Sequence, residues 1–456
     1  MTRREFLRNA AALTAFGPGL QLRAATSSIP WEHRIVRAHD PLASAFDVVN
    51  FEFQAGVRDT YYGNFVNQRR VQRLLDLALC GLTQEKDPVA ALRKLIPYQP
   101  GERVFIKTNF TTTFGLWGGD WDRIQWDAHY NDTDSLAEPI MAVIQALVRI
   151  NIPQELIGVG DPTWTAGSPR IPRLMPNRVA RKIHAAFPGV VLYRSSLIPG
   201  GDGFTWQSNH RDAVVTLRDP ALNNAAGGPA DHRLPDQLIL AHHFINLPVM
   251  KRNAGGGVTG ALKNNFGTIA SCQNFHSSEH AQKNEALYSD KLNPAVDIWL
   301  NPHVGAKTRL IVADGILAGW DWGGNPPTGW KTFSGRSPNC LLVGTDPVAM
   351  DSVIFDQVTE GLPEKVKNYR SPAMLVDAAK MGLGCYESRS GPKTSYRTID
   401  YLETAPAVEE GKVRQLAELK DWYLEGDKSA ADVKHCLTES QALQPVDSRE
   451  KDTGEL

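Results

Sequence analysis

Apolar residues recur at helical spacing through Val71, Leu74, Leu75, Leu77 and Ala78, which predicts a helix over 67–82. Asp87 followed by Pro88 supplies a capping side chain and a tolerated first-turn proline, so a second helix runs from there to about 96. Past Gly101 the run Val104-Phe105-Ile106 closes on Lys107-Thr108-Asn109, a strand over 103–109 that ends in polar groups. A segment apolar nearly all round predicts a buried helix over 135–150. A strand at 156–160, a helix at 177–187 and a strand at 190–193 follow. This alternation predicts an α/β fold with a mostly parallel sheet and helices on both faces.

The pattern is less regular elsewhere. Residues 30–66 carry no clear period and read as an irregular lead-in, while 195–235 scatter Pro, Gly, Asn and Asp like a loop-rich insertion. Strands resume at 237–247, 309–313 and 340–343, with helices near 293–301 and 347–359. Beyond Leu402 one further helix, 408–423, precedes a charged tail over 444–456 with the composition of a disordered segment. The organisation expected is an export segment over 1–25, an α/β domain over 30–400, and a C-terminal helix and tail over 401–456.

Composition narrows the chemistry. Across 456 residues, 49 basic side chains face 50 acidic ones, so no broad charged field exists to hold nucleic acid. No apolar run approaches the roughly 20 residues of a membrane helix, and no stable membrane span is expected. The five cysteines, Cys80, Cys272, Cys340, Cys385 and Cys436, show no C-x-x-C spacing, which argues against an iron–sulfur cluster or a cysteine-rich zinc site. At the N-terminus, Arg3-Arg4 stands ahead of a mild apolar stretch over 9–22 that holds Gly17-Pro18-Gly19. Paired arginines before a short apolar region resemble a twin-arginine (Tat) export signal, an address read by the Tat translocase. The expected destination is the periplasm.

Candidate chemistry gathers where the strands end. In open parallel sheets, ligands sit beyond the carboxyl ends of the strands. The expected strands end at Lys107-Thr108-Asn109, at Asp161, at Asp314 and at Thr345-Asp346. Trp117, Trp121, Trp126, Trp164, Trp320, Trp322 and Trp330 follow in the next loops, as flat surfaces for a ligand or as loop anchors. A second group runs from Asn246-Leu247-Pro248 through Lys251 and Gly255-Gly256-Gly257 to Lys263-Asn264-Asn265. Its lysines suit an anionic ligand, but the spacing is not that of a Walker loop. His276 and His280 lie four apart, a spacing that holds a metal on a helix, though surface or core roles are commoner for such a pair. Asp346 before Pro347 reads as a helix cap, with Asp351 one turn beyond.

Taken in order, five motifs resemble the family called domain of unknown function 362. They are Gly101-Glu102-Arg103-Val104-Phe105-Ile106-Lys107-Thr108-Asn109, Asn246-Leu247-Pro248-Val249-Met250-Lys251 and Thr259-Gly260-Ala261-Leu262-Lys263-Asn264-Asn265-Phe266-Gly267, then Val312-Ala313-Asp314-Gly315-Ile316 and Thr345-Asp346-Pro347-Val348-Ala349-Met350-Asp351. The likeness spans about 100–360, and it implies no activity. Some members of the family carry iron–sulfur motifs, which this chain lacks.

Two functions fit these residues. In the first, an exported enzyme handles a small anionic or hydroxylated substrate, as a proton-transfer isomerase or lyase or a metal-assisted hydrolase. His276, His280, Lys263 and Asp314 would be catalytic. Lys107, Asn109, Lys251, Asn264, Trp117, Trp164 and Trp320 would bind substrate, with a divalent metal, if one is used, on Asp161 and Asp351. In the second, a non-catalytic periplasmic protein retains a small solute with the same groups. Either way, changing Arg3 and Arg4 together to Lys should leave the precursor in the cytoplasm in a fractionation assay. Unchanged periplasmic accumulation would refute export by this route.

Overall fold

The computed structural model describes residues 30–44, 62–110, 133–162, 175–193, 207–220, 232–253, 257–269, 292–319, 327, 329–361, 372–391 and 394–406. The export segment, the helix expected at 408–423 and the charged tail lie outside the described residues.

One ten-stranded sheet organises the chain. Its strands are β1 (Arg34–His39), β2 (Val104–Lys107), β3 (Ile157–Gly160), β4 (Val191–Leu192), β5 (His243–Asn246), β6 (Val249–Asn253), β7 (Gly257–Thr259), β8 (Thr308–Gly319), β9 (Cys340–Gly344) and β10 (Asp400–Thr404). The order across the sheet is β10-β1-β9-β8-β5-β2-β3-β4, with β6 pairing the far half of β8 and β7 pairing β6. Neighbours are parallel except at β9, which is antiparallel to both β1 and β8, and at the β6–β7 pair. The sheet is therefore mostly parallel, as the alternating pattern predicts.

Helices cover both faces. One core lies under α1 (Gln68–Thr83), α2 (Pro88–Leu95), α3 (Ala137–Arg149) and α4 (Asn177–Ala186). The other lies under α5 (Asp236–Leu240), α6 (Ala261–Asn264), α7 (Pro294–Leu300), α8 (Pro347–Gly361) and α9 (Ala373–Lys380). Successive strand residues feed opposite cores, as period-2 alternation requires: Val104 and Ile106 face the first, Phe105 the second. Local chemistry sets the helix starts. Asn67 accepts from the N–H groups of Arg69 and Arg70, Asp87 from Ala90 ahead of α2 with Pro88 at its start, and Asn293 from Ala295 ahead of α7. Among the described residues, no helix is long and apolar enough to cross a membrane.

Three expectations are corrected. The lead-in at 30–66 contains β1, an interior strand whose Ile35 and Val36 are fully buried in opposite cores. Arg34 and Arg37 disguise it, because their partners Asp400 (2.6 Å) and Glu403 (2.8 Å) come from the far end of the chain. The strand expected at 237–247 divides into α5 and β5, and Lys307 closes α5 by donating to the carbonyls of Leu238 and Ile239. The strand expected at 309–313 continues as β8 to Gly319, because β6 offers its second half a partner. Because β1 is interior, Ile35→Ala should cost about 2–5 kcal/mol in urea denaturation, as for a buried side chain leaving a cavity. A change below about 0.5 kcal/mol would make 30–44 peripheral.

Candidate functional site

The chain leaves β2 for β3 on one side and later inserts β5 on β2's other side. That reversal falls at the carboxyl ends of β2 and β5, the kind of position where open α/β sheets bind ligands. Lys107 ends β2 and is directly opposite Asn246, which ends β5. Both are fully buried.

Lys107 organises what surrounds it. Its ammonium carries three N–H donors. They reach the Thr108 carbonyl at 2.7 Å, Asp161 Oδ1 at 3.0 Å and Asn264 Oδ1 at 3.2 Å. The other oxygen of Asp161 accepts from the Phe110 N–H at 2.7 Å. Asn264 Oδ1 also accepts from Asn109 Nδ2 at 3.0 Å, and Asn264 Nδ2 donates to Asn246 Oδ1 at 2.7 Å. Asn246 in turn donates to the Ala261 carbonyl at 2.9 Å. One buried cation thus ties together the ends of β2 and β3 and the helix α6, and fixes the orientation of both amides. An ammonium out of water needs such saturation, since an unpaired buried charge costs several kcal/mol.

A second cation lies across the segment 133–136. Ser135 clasps Asn109 from both sides, its hydroxyl accepting from the Asn109 N–H at 2.7 Å and its N–H donating to the Asn109 carbonyl at 2.9 Å. Two residues earlier, the Thr133 carbonyl accepts from Lys251 Nζ at 2.5 Å, with Asp134 Oδ1 at 3.6 Å from the same amine. The segment packs tightly on the end of β8: a Cβ at Gly319 would stand 2.4 Å from Thr133 Oγ1. One residue later, the Leu136 N–H at the start of α3 points at Asp314 Oδ2, 3.4 Å away, while Asp314 Oδ1 accepts from Ile316 N–H at 3.0 Å.

The carboxyl of Asp314 is moved far from its ordinary range. Burial pushes its carboxyl up to about 7, the Ile316 and Leu136 N–H groups pull it back down, Glu138 pushes it up and Lys251 pulls it down. A carboxyl balanced there exchanges a proton near neutral pH, as a general acid or base must.

Other expected site residues take different places. Lys263, next to Asn264 on α6, is half-buried, its amine 5.2 Å from the centroid of the Phe266 ring. Asp351 on α8 accepts from the Ala261 and Leu262 N–H groups at the start of α6, and burial pushes its carboxyl up to about 7 as well. A Cβ at Gly260 would stand 2.0 Å from Asp351 Oδ1, so only glycine allows this approach. Both oxygens of Asp161 and both of Asp351 thus accept protein donors, and among the described residues no group of three His, Cys, Asp or Glu side chains is arranged to hold a metal. Asp314 sits inside β8, not at its end, opposite Leu341 and Val249. Because β9 is antiparallel, Asp346 falls at the opposite edge, where it accepts from the Val348 and Ala349 N–H groups as the cap of α8. Trp330 is fully buried in the second core against Phe333, a core residue and not a pocket wall. His276, His280, Trp117, Trp164 and Trp320 lie outside the described residues.

Asn246, which opens the second group of candidates without a role assigned to it, completes the network with Thr133, Asp134 and Ser135, which were not among the expected site residues. The signal for the last three was a polar run, Asn131-Asp132-Thr133-Asp134-Ser135, immediately before a helix apolar nearly all round.

Residues 212–356 match the family model for domain of unknown function 362. The match takes in Asn246, Lys251, Asn264, Asp314 and Asp351 and four of the five motifs of the resemblance. The first motif, with Lys107 and Asn109, lies outside it. No curated protein and no solved structure matches the chain.

If Lys107 is the internal cation of this edge, Lys107→Met should cost about 3–5 kcal/mol in denaturant titrations, because Asp161 loses its counter-charge. Lys263→Ala should shift stability by no more than about 0.5 kcal/mol. Equal effects of the two would place both lysines in the same role.

Proposed function

We propose that this protein is an exported enzyme that moves a proton next to a carbonyl of a small anionic or hydroxylated substrate. Its reacting groups are Asp314 within β8 and Lys251 on the neighbouring strand β6. A single observation carries the reading: Asp314, whose buried carboxyl is pushed up to about 7, and the fully buried Lys251 both meet the segment 133–136 and feel each other's charge. Asp314 in its ionised form accepts the proton on the carbon adjacent to the carbonyl. Lys251 is the positive charge that opposes the negative charge growing on the carbonyl oxygen. Return of the proton to the same carbon, on either face, completes an exchange or an isomerisation, and no redox partner is needed.

The surroundings support these roles. Lys107 spends its three donors on the protein, so its part is to hold the strand ends and orient Asn109 and Asn264. Asn109 passes that order through Ser135 to the segment that contacts both Lys251 and Asp314. The paired arginines at the N-terminus support a periplasmic setting, and folding before export fits a site assembled from distant parts of the chain.

The test is deuterium exchange. Protein incubated in deuterated water with small 2-hydroxy and 2-oxo acids should put deuterium on the carbon next to the carbonyl, read by mass spectrometry. The base acts when ionised, so the rate should rise with pH and level off above about 7. Asp314→Asn should abolish that limb and slow exchange by about 100-fold or more, while circular dichroism shows the fold retained. Saturable binding of these acids with no exchange at any pH would overturn the proposal in favour of a solute-binding protein.

A further inference from the structure

A concavity opens at the carboxyl end of β1, apart from the network of Lys107 and Lys251. It is a cleft of about 670 Å³, within the size range of small-molecule sites. Its walls are the end of β1, the turn following Trp330, the last turns of α8, and β10 with the segment leading to it. Four strand spacings separate β1 from β2 in the sheet order, or about 19 Å at the usual distance between strands. None of the residues lining the cleft belongs to the network of Lys107 or Lys251.

The charges lining it are unbalanced. Three arginines, Arg37, Arg336 and Arg389, face two glutamates, Glu360 and Glu403. Both glutamates are engaged by the wall itself: Glu403 accepts from Arg37 at 2.8 Å, and Glu360 takes two bonds from Arg389, at 2.9 and 2.6 Å. Arg336 is exposed and makes no ion pair among the described residues. The surplus positive charge is therefore at the rim. His39 adds no further charge, because burial first, and the neighbouring Arg37 next, hold its imidazole below the usual range.

The remaining groups indicate what else the occupant carries. Gln357 on α8 is buried at 4% exposure, and its amide donates to the Tyr401 hydroxyl at 2.9 Å. Its carbonyl oxygen finds no donor among the described residues. An acceptor left so in the protein interior costs roughly 1–3 kcal/mol unless a water or a ligand hydroxyl serves it. The Tyr401 hydroxyl donates to Glu403 at 2.7 Å, so Gln357, Tyr401, Glu403 and Arg37 form one chain along the wall and cannot turn away independently. The Phe333 ring completes the wall, with the Arg37 guanidinium 4.9 Å from its centroid.

We infer that this cleft binds an anionic polyol, a small hydroxylated molecule bearing one phosphate or carboxylate, with the anion at Arg336 and a hydroxyl at the Gln357 carbonyl. The site is independent of the chemistry proposed for Asp314.

Isothermal titration of the full chain with glucose 6-phosphate, gluconate and uncharged glucose tests this. Saturable binding of one or both anions and none of glucose is expected, and which anion binds tells phosphate from carboxylate. Arg336 is exposed, so Arg336→Glu should keep the fold and weaken that binding at least tenfold. Gln357→Leu should weaken it less, through loss of the hydroxyl contact, while Lys251→Met should leave it unchanged. The inference is overturned if neither anion binds, if glucose binds equally well, or if Arg336→Glu binds like the parent protein. Loss in Lys251→Met with retention in Arg336→Glu would also overturn it, by assigning the anion to the network of Lys107 and Lys251.

Discussion

A buried ammonium can exist only where enough acceptors converge on it, and Lys107 imposes that demand at the meeting point of β2, β3 and α6. The acceptors come from residues 108, 161 and 264, parts of the chain that meet only in the folded protein. Satisfying them fixes the ends of two strands, a short helix that would not persist alone, and the orientation of two asparagine amides. The segment 133–136 then docks on Asn109 and brings Thr133, Asp134 and the start of α3 against Lys251 and Asp314. The polar edge of the sheet is thus a hierarchy with Lys107 at its base.

The reversed strand β9 divides that edge. A fully parallel sheet would deliver every strand end to one crevice. With β9 inverted, Asp346 and the start of α8 go to the far edge, and α8 runs back so that Gln357 and Glu360 return to the near edge beside β1. The polar network at β2 and β5 and the cleft at β1 lie on either side of this interruption. One inversion in the strand order so yields two chemically different places, one lined by lysines and amides, the other by arginines and glutamates.

Much of this was legible in the sequence, and the illegible part has physical causes. Strands closed by polar residues, as at Lys107 and Asp161, announce both the strand and its functional end. Strand β1 gave no such notice, because two of its six residues are arginines whose partners, Asp400 and Glu403, lie more than 360 residues away. Asp314 read as a strand terminus because nothing local shows that β6 will extend β8 past it. On α6, Lys263 and Asn264 are neighbours in sequence but about 100° apart around the helix axis. Composition alone cannot tell which of the two faces the cation. The polar run before α3 was visible, but its role depends on Asn109 and Lys251, which sequence distance hides.

The position of β1 also bears on how the molecule is made. Its two sheet neighbours are β9 and β10, so this strand must wait for residues 340–344 and 400–404, made about 300 and 360 residues later, before it can pair. Contacts of such long sequence separation close late and slow folding. The parallel strands β2, β3 and β5 can assemble during synthesis, but the nascent sheet keeps an open flank at β8 until residues 340–344 have appeared. For that interval the apolar faces of β1 are unprotected, which makes the growing chain a natural client for chaperones.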